Sequence, residues 1–292
     1  MSPETQMYLA QGIHGLAYGM LLFLVASGLT LIFGMMGILN IAHASFFMLS
    51  AYLCVTVLNL TGSFWLSLLL APLGVALLGI LVERLLLRRV QASGLGHIAE
   101  LLLTLGVSLV TVEVIKLIWG TEGLQVLTPP SLSGLVNLGG LEYPVYRLFI
   151  IALSLAVLLV LSLALFKTRL GTIVRAAVSD PDMVSVLGVN IRLVFMLVFG
   201  LGTWMAGVAG VAAAPILTVF PGLADQMGMD AFVVVVVGGF GSLFGALLAA
   251  LFLGELNAYG IQFIPKLSPV LMFAFMAMVL AFKPTGLFGD RE

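Results

Sequence analysis

Between Glu4 and Glu83 the chain carries no Asp, Glu, Lys or Arg. A water-soluble surface cannot be built from such a run, whereas a bilayer excludes charge over this kind of length. Several membrane spans therefore lie inside it. The whole chain follows the same rule: of 292 residues, 62% are hydrophobic and 9% are charged, far from the composition of a soluble domain. Twelve basic and 13 acidic residues leave a formal net charge of −1, which offers no electrostatic footprint for nucleic acid. The one cysteine, Cys54, sits in an apolar run, so neither a disulfide framework nor a multi-cysteine metal site can form within the chain. Residues Met1 to Gln11 lack the basic region of a secretory signal, and the apolar stretch that follows is too long for one. It reads as a retained first helix.

A helix needs about 20 apolar residues to cross a hydrocarbon core about 30 Å thick, and this ruler finds about eight candidates. They are Gly12 to Phe33, Ala44 to Leu60, Phe64 to Leu87, Ile98 to Trp119, Leu148 to Phe166, Leu193 to Val219, an irregular stretch from Asp230 to Leu253, and Ser268 to Phe282. The expected fold is an all-α polytopic membrane protein, one domain over residues 1–292, with one or more discontinuous or re-entrant segments.

Short basic loops stay on the cytoplasmic side. Arg84, Arg88 and Arg89 form one basic cluster, and Lys167, Arg169, Arg175 and Arg192 form another. The segment 120–146 has Glu122 and Glu142 but no basic residue before Tyr146, and 220–230 has only Asp225 and Asp230. The first two are expected inside and the last two outside, which puts the N-terminus outside. Lys283 and Arg291 suggest a cytoplasmic C-terminus, which requires an odd number of crossings. An even set of candidates therefore contains one that is not a simple span, and the expected offender is Asp230 to Leu253. There a valine run meets Gly238, Gly239, Phe240, Gly241 and Ser242. Glycine inside a helix costs about 1 kcal/mol relative to alanine, so this cluster marks a break.

A second break is expected where Gly34, Met35, Met36 and Gly37 precede Asn40 and His43. Glycine-interrupted segments in both halves of a transporter point to a path near the midplane. The competing reading is close helix packing, for which Gly15 and Gly19, and Gly241 and Gly245, have small-xxx-small spacing. For any single glycine both readings stand.

The basic stretch Lys167 to Arg192 holds an expected short amphipathic helix: Asp180 caps it, Pro181 suits its first position, Val184, Leu187 and Val189 give it an apolar face, and Gly188 and Asn190 end it. That face suits docking to an ATP-driven partner or rest at the lipid headgroups. No GxxxxGK[ST] phosphate loop, HExxH, CxxC or GxSxG occurs, and His14, His43 and His97 are scattered. No catalytic residue, metal site or cofactor is expected. Glu113 and Lys116 are placed to pair on one helix face, and Glu83, Glu100 and Glu255 sit near expected helix ends. A secondary carrier or channel would carry a coupling charge inside its spans, and no convincing one is visible.

Three separated motifs then resemble the permease subunits of high-affinity branched-chain amino acid ABC importers. They are GLTLIFGMMGILNIAHASFFMLSAY (Gly28 to Tyr52), RAAVSDPDMVSVLGVN (Arg175 to Asn190), and GGFGSLFGA (Gly238 to Ala246) with the ending KPTGLFG (Lys283 to Gly289). Ala44 and Ser50 stand where that pattern usually has glycine, Ser45 where it is often acidic, and Met183 and Val184 where it has small residues. The same architecture also serves urea, short amides and aromatic acids. The resemblance implies a bacterial inner-membrane importer of two related permease subunits, two ATP-binding subunits and an extracytoplasmic solute-binding protein. It implies a translocation path along Gly34, Gly37, Asn40, His43, Ser45, Gly238, Gly239, Gly241 and Ser242. Coupling to the ATP-binding subunit is expected through Arg175, Ala176, Asp180, Pro181, Leu187 and Gly188 within 167–192. The outer segment 120–146, with Pro129, Pro130 and Pro144, is where a binding protein would rest.

Overall fold

In lipid only helices and closed barrels satisfy their own backbone, and the chain takes the first course. The computed structural model describes residues 2–289, so Arg291 lies outside the described residues. Helix α1 (Pro3–Met36) opens on Ser2, whose side chain accepts from the Thr5 amide, and stops at Gly37 with φ 65°. It starts well before the expected Gly12, because Glu4, Gln6 and Gln11 extend it beyond the apolar run. At 1.5 Å per residue it is about 51 Å long, more than a bilayer core requires. Helices α2 (His43–Thr61), α3 (Phe64–Val82) and α4 (Arg88–Ala92) follow, the last two joined by a π-turn at Glu83–Leu87. Then come α5 (His97–Trp119), the strands β1 (Leu135–Leu138) and β2 (Leu141–Pro144), α6 (Val145–Lys167), α7 (Arg169–Ser179) and α8 (Pro181–Val186). Helices α9 (Ile191–Ala213), α10 (Leu223–Gly238), α11 (Leu243–Phe263) and α12 (Ser268–Phe282) complete the bundle.

Among the described residues seven helices are long and apolar enough to cross a membrane. Helices α10 and α12, with 16 and 15 residues, are shorter. The irregular stretch from Asp230 to Leu253 breaks at the glycine cluster as expected, into α10 and α11, which meet there end to end. Counted with the seven, α10 and α12 bring the number of passages to an odd value and put the described termini at opposite ends of the bundle. The basic end gathers Arg88, whose guanidinium donates to the Arg192 carbonyl at 3.3 Å, with α7 and α8. At the other end Gln6 donates to the Gly140 carbonyl at 3.2 Å, tying α1 to the strand pair.

That pair lies in the segment read from sequence as a plain loop. Its strands are antiparallel, with Val136 opposite Tyr143, and turn through Gly139 and Gly140 at φ 65° and 100°. The Asn137 carboxamide accepts from the Gly140 amide at 2.6 Å and closes the turn. The Tyr143 hydroxyl meets His14 of α1 at 2.8 Å, and Arg147 also reaches that imidazole. Burial raises the Tyr143 phenol above its ordinary value, against the opposing pull of Arg147.

Helix α1 is the spine, touching α11, α9, α6 and α10. Glycine lets these helices approach to backbone contact. A Cβ on Gly19 would lie 2.6 Å from the Ala250 carbonyl, and one on Gly254 would lie 2.6 Å from the Gly19 amide. On α9, a Cβ on Gly207 would lie 2.7 Å from Cα of Pro72. The Gly15 and Gly19 spacing is thus packing, while Gly245 closes on Gly238. The rim shows the opposite pattern: α5 turns Ile98, Leu102, Leu109 and Leu117 outward, the last 84% exposed, as a lipid-facing surface requires. Glu113 and Lys116 pair at 2.7 Å as their spacing predicts, and the buried Glu83 carboxylate is held by Arg88 at 3.0 Å.

Gly254→Leu forces a branched side chain into a backbone contact and is expected to cost about 1–3 kcal/mol. The check is thermal unfolding in detergent, where G254L should melt several degrees below the parent while Leu117→Ala leaves the transition unchanged.

Candidate translocation site

The two glycine breaks, far apart in sequence, meet in space. A Cβ on Gly34 would stand 2.8 Å from Cα of Gly241, and the rings of Phe33 and Phe240 pack at 4.4 Å. At this junction a cavity of about 1520 Å³ opens toward the basic end, bounded by the last turns of α1, the α10–α11 elbow, α5, α6 and α7. Gly34, Gly37, Gly241 and Ser242 line it, as do Arg175 and Pro181 on the rim. Its polar lining also includes Thr30, Ser162 and the His97–Glu100 pair, joined at 3.2 Å.

The elbow owes its shape to local rules. Gly239 and Gly241 have φ 99° and 78°, values that side-chain-bearing residues rarely adopt, and Ser242 caps α11 by accepting from the Gly245 amide at 3.1 Å. The outer surface of the elbow is covered by the chain's own C-terminal tail. The Leu287 amide donates to the Val237 carbonyl at 2.8 Å and the Phe288 amide to the Gly238 carbonyl at 3.0 Å. Gly286 lies on Gly239 so closely that its Cβ would meet the Gly239 Cα at 2.6 Å. Gly238 and Gly239 therefore face the tail, away from the cavity.

Asn40, His43 and Ser45 also stand behind the cavity wall, all buried. His43 Nε2 donates to the Val25 carbonyl at 3.0 Å, and Gly28 makes the room: a Cβ there would lie 2.8 Å from the imidazole Cε1. Ser45 hydrogen-bonds the Ala42 carbonyl at 2.7 Å. The Asn40 side-chain carboxamide, His43 Nδ1 and Thr30 Oγ1 are buried without a hydrogen-bond partner. Of the departures noted in the sequence, Ser50 uses its extra hydroxyl to donate to the Gly207 carbonyl at 2.8 Å, and the Ala44 methyl sits against Gly228.

The basic segment forms two helices where one was expected. Asp180 accepts from the Met183 amide at 2.8 Å and caps α8, with Pro181 at its first position, as its sequence predicts. Val184 is buried against the body, whereas Leu187, expected beside it, points to solvent with Val186 and Met183. Gly188 ends the turn at φ 87°, and Asn190 caps α9 by accepting from the Leu193 amide. Arg175 stacks over the Phe166 ring at 5.3 Å, while Ala176 is exposed. Sequence reasoning missed Thr30, whose only signal is a hydroxyl between Leu29 and Leu31, and Phe288, whose contact with Phe244 at 5.4 Å no local pattern announces.

A many-span helical bundle interrupted at one junction, with a cavity there, is a membrane transport subunit in class. The family described as the permease component of branched-chain amino acid transport systems matches residues 13–280, and the chain belongs to it. It is 29% identical to the high-affinity branched-chain amino acid transport system permease protein BraD of Pseudomonas aeruginosa, over 99% of this chain and 98% of that protein. It is also 29% identical to the permease protein LivH of Escherichia coli K12, over 100% of this chain and 99% of that protein. The LivM permease of the same organism is 26% identical over 92% of this chain and 68% of that protein. No solved structure matches the chain.

Gly239→Ala places a methyl group against the tail in a conformation that costs of order 1–3 kcal/mol for a residue with a side chain. Limited proteolysis should release the C-terminal tail faster in G239A than in the parent, and Gly106→Ala, which meets nothing within 4 Å, should leave the rate unchanged.

Proposed function

We propose that this chain forms one half of the translocation path of an ATP-driven importer for branched-chain amino acids or related small polar solutes. The observation that carries the reading is the full-length likeness to permease components named for that transport. The path runs past Gly34, Gly37, Gly241 and Ser242 to the cavity, with Asn40, His43 and Ser45 behind it and Gly238 and Gly239 shaping the elbow. Ends of broken helices offer partial charges to a carboxylate and an ammonium at the glycine breaks. Selectivity is then left to a soluble receptor seated on the strand-pair end over 120–146.

The chain sits in the bacterial inner membrane with its basic end in the cytoplasm. Its partners are a related second permease, two ATP-binding subunits and the extracytoplasmic receptor. Coupling runs through α7 and α8, where Met183, Val186 and Leu187 form an exposed apolar surface at the cytoplasmic end and Leu187 is 75% exposed. A groove on the ATP-binding subunit takes that surface, and Arg175 and Pro181 carry its displacement to the cavity rim.

In liposomes containing the full complex and receptor, leucine accumulation should require ATP. Accumulation by the chain alone from an ion gradient would make it a secondary carrier and overturn the reading. Leu187→Asp should lower ATP-driven uptake about tenfold, the loss expected when a charge is buried in an apolar contact. The chain itself should be recovered folded and in normal yield, because Leu187 is exposed on it.

A further inference from the structure

We propose that Tyr18 and Asp230 form a recognition site for the ammonium group of the translocated solute. The proposal rests on the reading of the chain as an amino-acid permease. Asp230 belongs by sequence to an outer loop, but the structure places it in the middle of α10 (Leu223–Gly238), where its Oδ2 accepts a hydrogen bond from the Tyr18 hydroxyl at 2.6 Å. Tyr18 lies about 22 Å along α1 from Pro3 and about 27 Å from Met36 at helical rise, so the pair is deep in the membrane-embedded part of the bundle. An ionisable side chain at such a depth is expensive, and the cost is recovered where it serves a charged cargo or partner.

The geometry points to a cargo. Asp230 is partly exposed, at the edge of an arc of α10 that carries Asp225, Gln226 and Met229 and that no helix of this chain covers. None of the ion pairs among the described residues involves it. Tyr18 donates to one carboxylate oxygen and leaves the other for an incoming N–H donor. A metal ion would need further ligands, and no cluster of three His, Cys, Asp or Glu is present among the described residues. A primary ammonium needs one carboxylate plus neutral acceptors, and Gln226, one turn away on the same arc of α10, carries such an acceptor.

The test uses the complete importer in liposomes with Asp230→Asn, which keeps the shape and the acceptor for Tyr18 and removes only the charge. Leucine uptake should fall about tenfold or more, the loss of one charge-assisted hydrogen bond. Receptor-stimulated ATP hydrolysis and recovery of the partner permease should stay at parental levels. Asp230→Glu should recover part of the rate, and Tyr18→Phe should lose less than D230N. Uptake by D230N within twofold of the parent would overturn the proposal. So would loss of the partner permease on purification, which would assign the carboxylate to a cation of that subunit. A parental complex that accumulates no leucine would instead overturn the reading as an amino-acid permease, and that outcome shows before any variant is compared.

Discussion

A helix that stops inside a membrane bundle frees backbone groups that no lipid can satisfy, and the architecture of this chain follows from how it meets that demand. At the α10–α11 elbow the answer comes from the far end of the sequence. The last carbonyls of α10 are taken by the amides of Leu287 and Phe288, and Gly239 and Gly286 lie backbone to backbone because neither carries a side chain. The glycine-rich segment and the terminal motif are thus one structure. The last carbonyls of α10 are satisfied there, and the tail that satisfies them lies at the basic end, with Phe288 beside the cavity.

The other break is closed differently. Gly37 returns its amide to Phe33 at 2.8 Å, and His43 stitches the start of α2 to the Val25 carbonyl in the body of α1. Yet the Asn40 side-chain carboxamide, His43 Nδ1 and Thr30 Oγ1 remain buried and unpaired. Each such group costs about 1–3 kcal/mol, so this side of the junction holds more free energy than the elbow side, where the Thr285 hydroxyl of the tail is buried without a partner. An arrangement that brings water or a solute to these atoms would recover part of it. The wall formed by 37–43 is therefore the part of the site with most to gain from moving, and it abuts the elbow at the contact of Gly34 with Gly241.

Much of this was legible in sequence because lipid turns composition into geometry. The uncharged run from Glu4 to Glu83 fixed the class, and the glycine clusters at Gly34–Gly37 and Gly238–Ser242 marked both breaks before either could be placed. Asp180 and Pro181 announced a helix start through capping chemistry that needs no tertiary context. What escaped was whatever depends on distant partners. Nothing local says that the two breaks touch, that the tail returns to Val237, or that His43 is absorbed by a carbonyl of α1. Asp230 was assigned outward because a charge marks a span boundary, and the rule failed because a hydroxyl on another helix receives it. The strands at Leu135–Leu138 and Leu141–Pro144 have their signal in the turn chemistry of Asn137, Gly139 and Gly140, which a length criterion for membrane helices does not register.

These packing differences decide which parts can move. Helices α1, α9 and α11 meet through glycine at backbone distance, so sliding one past another would drive carbonyls into Cα atoms. The spine is rigid on that ground. Helices α7 and α8 are different: outside their own pair they lean on α6, α1 and α9, and most of their surface is exposed. A load applied to Met183, Val186 and Leu187 meets least resistance there. Arg175 and Pro181 line the cavity together with Gly241 and Phe240, so the proposed coupling would reach it there. On the proposed reading the lever is α7 and α8, outside the apolar core, where an ATP-binding subunit would reach it, and the broken helices stand inside, where a small shift at the rim would change what their backbone ends face.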